Sequence, residues 1–123
     1  MITHVGTVTV YVKNQQKALE FYRDVMGFEV HADQPMGPEG RWIEVAPKGA
    51  QTHLVPFTPP GLEARIGTFT GLVFRCNDIE GTYKELAAKG VEFKHGPEKQ
   101  VWGGTMAQFY DVDKNGFVLV QMP

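Results

Sequence analysis

The sequence predicts an α+β fold built from two βαβββ units. The first observation is an internal repeat, because the segment GTVTVYVKNQQKALEFYRDVMGFEV at residues 6–30 is matched by TGLVFRCNDIEGTYKELAAKGVEF at residues 70–93. The second is that each copy begins with a strict alternation of residue types and continues with apolar residues at helical spacing. Repetition of a strand, a helix and a further strand indicates that one structural unit occurs twice.

The first unit is predicted to span residues 2–57. Its first strand alternates Val8, Val10 and Val12 with Thr7, Thr9 and Tyr11, so the valines face a helix and the other three residues face away from it. Asn14 is the predicted N-cap of that helix and Gly27 its stop. The predicted elements are a strand at 7–12, a helix at 14–26, a strand at 28–32, a Pro/Gly loop at 33–40 and a hairpin of strands at 41–46 and 51–57.

The second unit, predicted at residues 68–123, repeats this order after a linker at 58–67. Leu72, Phe74 and Cys76 alternate with Gly71, Val73 and Arg75, and Asp78 is the predicted cap of the second helix. Asn115 and Gly116 are expected to supply positive backbone angles in the last turn. The predicted elements are a strand ending at Cys76, a helix from 78 to 90, a strand at 91–94, a loop at 95–104, and strands at 106–110 and 116–121.

The length of 123 residues predicts a single domain, 1–123, large enough to bury its own core. A net charge of −2 without a basic cluster argues against nucleic acid as a partner, and no apolar run is long enough to cross a membrane. A small molecule is therefore the expected partner. Cys76 is the single cysteine and is interpreted as a packed thiol. Together with the lack of a signal peptide, it indicates a cytoplasmic protein.

The double unit resembles the vicinal oxygen chelate superfamily, which contains glyoxalases, bleomycin-resistance proteins and extradiol dioxygenases. The matching segments are VYVKNQQKALEFYRDVMGFEV, FRCNDIEGTYKELAAKGVEF and the ending FYDVDKNGFVLVQ. The resemblance implies that the two units form a curved mixed-sheet cup with the helices outside. It also implies that a ligand or metal lies in the concavity.

Enzymes of that superfamily hold a divalent metal with His and Glu side chains from four strands. In this sequence the resemblance places those positions on Thr7, His53, Gly71 and Val118. Of these four residues only His53 has a side chain of the kind that ligates metals, and one imidazole does not hold a divalent ion against water. No cofactor is therefore predicted. Metal ligation or general-base catalysis by His53 remains the alternative to a simple hydrogen-bonding role, with Glu44 as the first additional ligand to test.

The predicted ligand-binding face combines the residues of the two first strands that point away from the helices with polar and aromatic residues around them. Arg75 is expected to pair with an acidic neighbour or to recognise an anion. Trp102, in a glycine-rich loop, is expected either to cover a ligand or to pack in the core. The predicted set is Thr7, Thr9, Tyr11, His53, Val73, Arg75, Trp102, Gln108 and Val118.

Four further residues are given structural or surface interpretations. His31 and His95 stand at the ends of short strands and are expected to be solvated, Trp42 is expected to be structural, and His4 is expected on the surface. The alternation around Glu44 leaves its facing open, although a surface carboxylate is favoured.

These observations predict two alternative functions, a binding protein and an enzyme. The first is a metal-independent small-molecule-binding protein, similar to the bleomycin-resistance branch. The alternative is a metal-dependent lyase, dioxygenase or thiol transferase with a non-standard metal site drawn from His53, Glu44, Gln108 or a second chain. A homodimer is expected because four-stranded units have open edges and because the resembled family forms dimers.

Overall fold

The computed structural model describes residues 1–38 and 40–123, which form two compact units, Met1–Gly67 and Thr68–Pro123. Each unit has the predicted order of one strand, one helix and three strands. Residues 58–67, predicted as a linker, group with the first unit. The α+β class and the paired βαβββ units are therefore confirmed.

The first unit contains a four-stranded mixed sheet in the order β1-β4-β3-β2. Strand β1 pairs parallel with β4, whereas β3 pairs antiparallel with both β4 and β2. The elements are β1 Thr7–Val10, α1 Gln15–Glu20 continued by a π-helical segment Phe21–Val25, β2 Glu29–Pro35, β3 Arg41–Ala46, β4 His53–Pro56 and a 3-10 turn at Glu63–Arg65.

Helix α1 covers one face of this sheet. Val10, Ile43, Val45 and Leu54 form the apolar layer beneath it and are buried, and the helix contributes Leu19 and Tyr22. Asn14 caps the helix as predicted, since its Oδ1 accepts the backbone N–H of Lys17 at 3.0 Å. The valine face of β1 therefore lies where its alternation predicts.

The second unit repeats the topology with the order β5-β8-β7-β6. Helix α2 lies over an aromatic layer made of Phe74, Phe93, Phe109 and Phe117, and Tyr83 of the helix meets Phe93 edge to face at 4.7 Å. The elements are β5 Phe69–Arg75, α2 Ile79–Ala88, β6 Phe93–Lys99, β7 Thr105–Tyr110 and β8 Gly116–Gln121.

Several predicted boundaries were wrong. Strand β1 ends at Val10, and β2 and β6 extend to Pro35 and Lys99 through segments predicted as loops. Both extensions are paired with a neighbouring strand, so backbone hydrogen bonds outweigh the local Pro and Gly content. Of the predicted loop at 33–40, position 39 lies outside the described residues.

The turn before β8 lies where it was predicted, but different residues stabilise it. Lys114, not Asn115 or Gly116, has the positive φ angle, at 68°. Asn115 is buried instead and donates from Nδ2 to the Asp111 carboxylate at 2.9 Å. The same carboxylate accepts the backbone N–H groups of Asp113 and Asn115. The turn is thus held by side-chain hydrogen bonding rather than by glycine.

No helix among residues 1–38 and 40–123 is long and apolar enough to cross a membrane.

Candidate functional site

A cluster of polar and aromatic side chains lies on the face of the first sheet that α1 does not cover. Thr7 and His53 are register partners on the parallel strands β1 and β4, and Thr9 follows on the same side of β1. Because Val45 pairs with Leu54, Glu44 of β3 falls on the same face as His53. Thr7, Thr9, Glu44 and His53 are therefore brought to one surface.

Glu44 is the centre of this cluster. Its Oε1 lies 2.7 Å from Nδ1 of His53, and its Oε2 accepts the indole N–H of Trp42 at 2.7 Å. The Glu44 and His53 side chains are only 23% and 20% exposed. Glu44 is therefore a partly buried, hydrogen-bonded carboxylate rather than the freely exposed one that was favoured. Trp42, which was expected to be structural, also donates a hydrogen bond within the cluster.

These hydrogen bonds change the acidity of Glu44. The bond from Trp42, followed by that from His53, holds the pKa of the Glu44 carboxyl below its ordinary value of 4.5, against an opposing contribution from burial. Glu44 is consequently ionised at neutral pH, with both oxygens engaged.

His31 completes the cluster, and it remains exposed to solvent, as its sequence position predicts. Its ring stacks on His53 with centroids 4.2 Å apart and planes 19° apart. The register of β2 shifts between Val30 and Ala32, so His31 lies at a bulge. The bulge is the feature that sequence periodicity does not reveal.

We expect Glu44→Gln to destabilise the protein at neutral pH and to lose this effect in acid. Because the native pKa of Glu44 is lowered, its carboxylate stabilises the fold above the ordinary value of 4.5. That contribution disappears as the pH falls through the lower native value. Urea unfolding of both proteins across this range measures the effect. The exposed Glu98 provides the control Glu98→Gln, and a Glu44→Gln difference that grows towards low pH would contradict the assignment.

The predicted residues of the second unit form their own surface. Val73 and Gln108 are both register partners of Val118, on the face away from α2. Val73 is 57% exposed, whereas Val118 is buried. Three of the predicted ligand-binding residues are thus neighbours on one face.

Arg75 lies further along β5 and is exposed. Its side chain makes no hydrogen bond or ion pair within residues 1–38 and 40–123, so the predicted alternative of an acidic neighbour finds no support there. Arg75 instead lines a pocket of about 290 Å³ together with Cys76, Asn77, Gln121 and Met122. Burial raises the pKa of the Cys76 thiol, which agrees with a packed and unreactive cysteine.

Trp102 is 47% exposed in the turn between β6 and β7. The turn is closed by a hydrogen bond from Gln100 N to Gly104 O of 2.8 Å. The indole lies so close to Gly104 that a β-carbon at that position would overlap it. A larger residue at position 104 would force the indole to move from this position, in which it keeps an exposed surface for contact.

Two further features of the first unit lie apart from these surfaces. They are the predicted residue Tyr11 and a pocket that none of the predicted residues lines. Tyr11 follows the end of β1, and the guanidinium of Arg65 lies 5.8 Å from the centre of its ring. A pocket of about 760 Å³ opens beyond the carboxyl ends of β1 and β4, but none of the predicted ligand-binding residues lines it. The Gln15 and Thr58 side chains in its wall already bond to backbone groups. His4 is exposed, as predicted.

The residues at the positions implied for metal ligation do not fit a divalent metal. Gly71 has no side chain and adopts a φ of 75°, at an irregular point of β5. His or Glu would be strained there. Across the described ranges 1–38 and 40–123, no three His, Cys, Asp or Glu residues are grouped to hold a metal ion. His53 and Glu44, the fallback pair, are bonded to each other.

Residues 2–119 match the Glyoxalase/Bleomycin resistance protein/Dioxygenase superfamily, and the chain belongs to that family. It is 47% identical over 119 residues to YetH of Bacillus subtilis (strain 168), covering 97% of this chain and 98% of YetH. A superfamily member from Sphaerobacter thermophilus DSM 20745 is similar, with a TM-score of 0.91, 37% identity and 98% of both chains covered. TnmS3, an antibiotic-binding protein from Streptomyces sp. CB03234, has a TM-score of 0.88 and 39% identity, with 99% of this chain and 98% of TnmS3 covered.

Proposed function

We propose that this protein binds a small organic molecule without a metal ion. The observation that carries the proposal is the composition of the four positions implied for metal ligation, where Thr7, Gly71 and Val118 accompany a single histidine, His53. The backbone angle of Gly71 adds to it, because no metal-binding side chain is easily accommodated there. The likeness to TnmS3 supports an antibiotic-like compound as the ligand, and the exposed ring of Trp102 suits an aromatic one.

Each unit offers a surface suited to this role. In the first unit, Thr7, Thr9, Glu44 and His53 combine hydroxyl, carboxylate and imidazole groups beside the rings of His31 and Trp42. In the second unit, the Arg75 side chain supplies a charge that no other residue of 1–38 and 40–123 neutralises, and Trp102 supplies an exposed ring. A few fixed polar groups among aromatic and apolar surfaces are typical of small-molecule sites.

The proposal is tested by a thermal-shift screen of aromatic antibiotics and related planar compounds. Each compound is measured with a chelator and again with added zinc, manganese or nickel. A ligand that binds the native state raises the melting temperature by mass action. We expect shifts that do not depend on metal. Shifts that appear only when a metal is added would support the enzyme alternative instead, as would a stoichiometric metal found by elemental analysis.

We expect Arg75→Met and Trp102→Ala each to weaken binding of a screened ligand by about 1 to 3 kcal/mol. The first loses a charge-assisted hydrogen bond to an anionic or carbonyl oxygen, and the second loses an aromatic contact. Because both side chains are exposed, the free energy of unfolding should change less than the binding energy. Calorimetric titration measures the affinities, with Lys94→Met as the matched control for an exposed cation.

We further propose that the protein is a cytoplasmic homodimer. Each sheet ends on strands that pair on one side only within their unit, and Phe69 and Val73 of the edge strand β5 are 58% and 57% exposed. Unpaired edges and exposed apolar side chains favour association. Sedimentation should give a mass of about twice 13.7 kDa. A concentration-independent mass of 13.7 kDa would reject the dimer.

A further inference from the structure

The proton shared by His53 and Glu44 has a defined position. Both oxygens of Glu44 accept hydrogen bonds, one from the Trp42 indole and one from Nδ1 of His53, each at 2.7 Å. These bonds keep the carboxyl ionised, as its lowered pKa indicates. An ionised carboxylate only accepts hydrogen bonds, so the hydrogen must be on Nδ1 of His53.

The second ring nitrogen of His53 is then a hydrogen-bond acceptor. In a neutral imidazole with its hydrogen on Nδ1, Nε2 carries a lone pair. Its partners are Glu44 through Nδ1 and His31 through the ring face, and no donor within residues 1–38 and 40–123 bonds to Nε2. The side chain keeps 20% exposure. A half-buried acceptor thus remains available to a ligand.

The surroundings of this acceptor are aromatic. The parallel stack with His31 fixes the plane of the His53 ring, and the bond from Glu44 fixes its rotation within that plane. Trp42 is held on the same face of the sheet by the same carboxylate. A ligand that reaches Nε2 therefore meets ring surfaces, which favour a planar ring over an aliphatic chain.

We propose that the first unit recognises an aromatic hydroxyl group, whose O–H donates to Nε2 of His53. This assignment rests on the proposed small-molecule binding and specifies the ligand class for the His53 surface. Glu44 has a positioning role, because it selects the tautomer that presents an acceptor rather than a donor. A methyl ether of the same ring has no hydrogen to donate and leaves the acceptor unsatisfied.

The tautomer is measured first, on the complete protein without any ligand. Nitrogen-15 NMR of the labelled imidazoles distinguishes a protonated ring nitrogen from one that carries a lone pair. We expect Nδ1 of His53 to be protonated, and Nε2 to be bare when the ring is neutral. The reverse tautomer would overturn the proposal.

Binding is measured with naphthol and its methyl ether, in which a methyl group replaces the donated hydrogen. We expect naphthol to bind about tenfold more tightly, which corresponds to one net hydrogen bond, and to shift the Nε2 resonance of His53. His53→Phe, which keeps a ring for stacking, should abolish the preference. Glu44→Gln should reduce it, and His95→Phe in the second unit should leave it unchanged. Equal affinities for the two probes, or no shift of Nε2, would overturn the proposal.

The two proposals fail in different ways. If antibiotic-like compounds stabilise the protein while His53 gives no response to naphthol, small-molecule binding stands and the aromatic hydroxyl assignment is wrong. If no aromatic compound stabilises the protein, the proposed function itself is wrong.

Discussion

Phe109→Ala should destabilise the protein by about 3 to 5 kcal/mol, the usual effect of removing a large buried aromatic side chain. Phe109 is fully buried, and its ring lies 5.5 Å from Phe117, 5.8 Å from Phe93 and 6.1 Å from Phe74. Three strands of the second sheet therefore lose a common contact. Since domains are stable by only about 5 to 15 kcal/mol, much of the total would be lost.

Urea unfolding followed by circular dichroism measures this effect. Val101→Ala is the control, because Val101 belongs to the same unit, is fully exposed and lies outside the proposed dimer edge. We expect the control to lose much less stability. A Phe109→Ala loss below about 1 kcal/mol would show that the aromatic layer is not the core of this unit.

Gln15→Ala should cost about 2 to 4 kcal/mol, because one side chain satisfies three backbone groups of the first unit. Its Nε2 donates to the carbonyls of Arg41 and Pro56 at 2.7 and 2.9 Å, and its Oε1 accepts the Arg41 N–H at 2.9 Å. The first residue of α1 thereby joins the start of β3 to the end of β4. Alanine leaves all three groups without these partners.

The neighbouring Gln16 is exposed and supplies the control, since within residues 1–38 and 40–123 its side chain bonds to two side chains, those of Arg41 and Glu20, and to no backbone group. Gln16→Ala should change stability by about 0.5 kcal/mol or less. Gln15→Glu is a second test, because it keeps the shape but replaces the donating amide with an acceptor. Equal losses for Gln15→Ala and Gln16→Ala would refute the proposed joining role.

The fold was predictable because the sequence contains the βαβββ unit twice and because residue types alternate along the first strand of each unit. Thr7, Thr9 and the valines of β1 lie on the faces that their parity predicts, and Asn14 caps α1 through its own side chain. The ends of β2 and β6 were not predictable from composition. Pro35 and Gly96 lie within paired strands because a neighbouring strand satisfies the backbone around them.

The candidate site was predictable only in part. His53 was found because the resemblance marks its position, and its register with Thr7 follows from two parallel strands. Its link to Glu44 depends on the register between β3 and β4, which alternation alone does not fix. The stacking of His31 on His53 depends on a bulge in β2. The left-handed backbone of Gly71 depends on another irregularity, in β5. Such local shifts have no periodic signal in a single sequence.

The central claim, binding without a metal, is tested most directly by calorimetric titration of one ligand from the thermal-shift screen. The protein is titrated as isolated, after exhaustive chelation, and after zinc or manganese is restored. We predict the same dissociation constant within about threefold in all three states, because no set of side chains fits a divalent ion at the implied positions. A tenfold or greater loss of affinity on chelation that is recovered when metal is added would contradict the account.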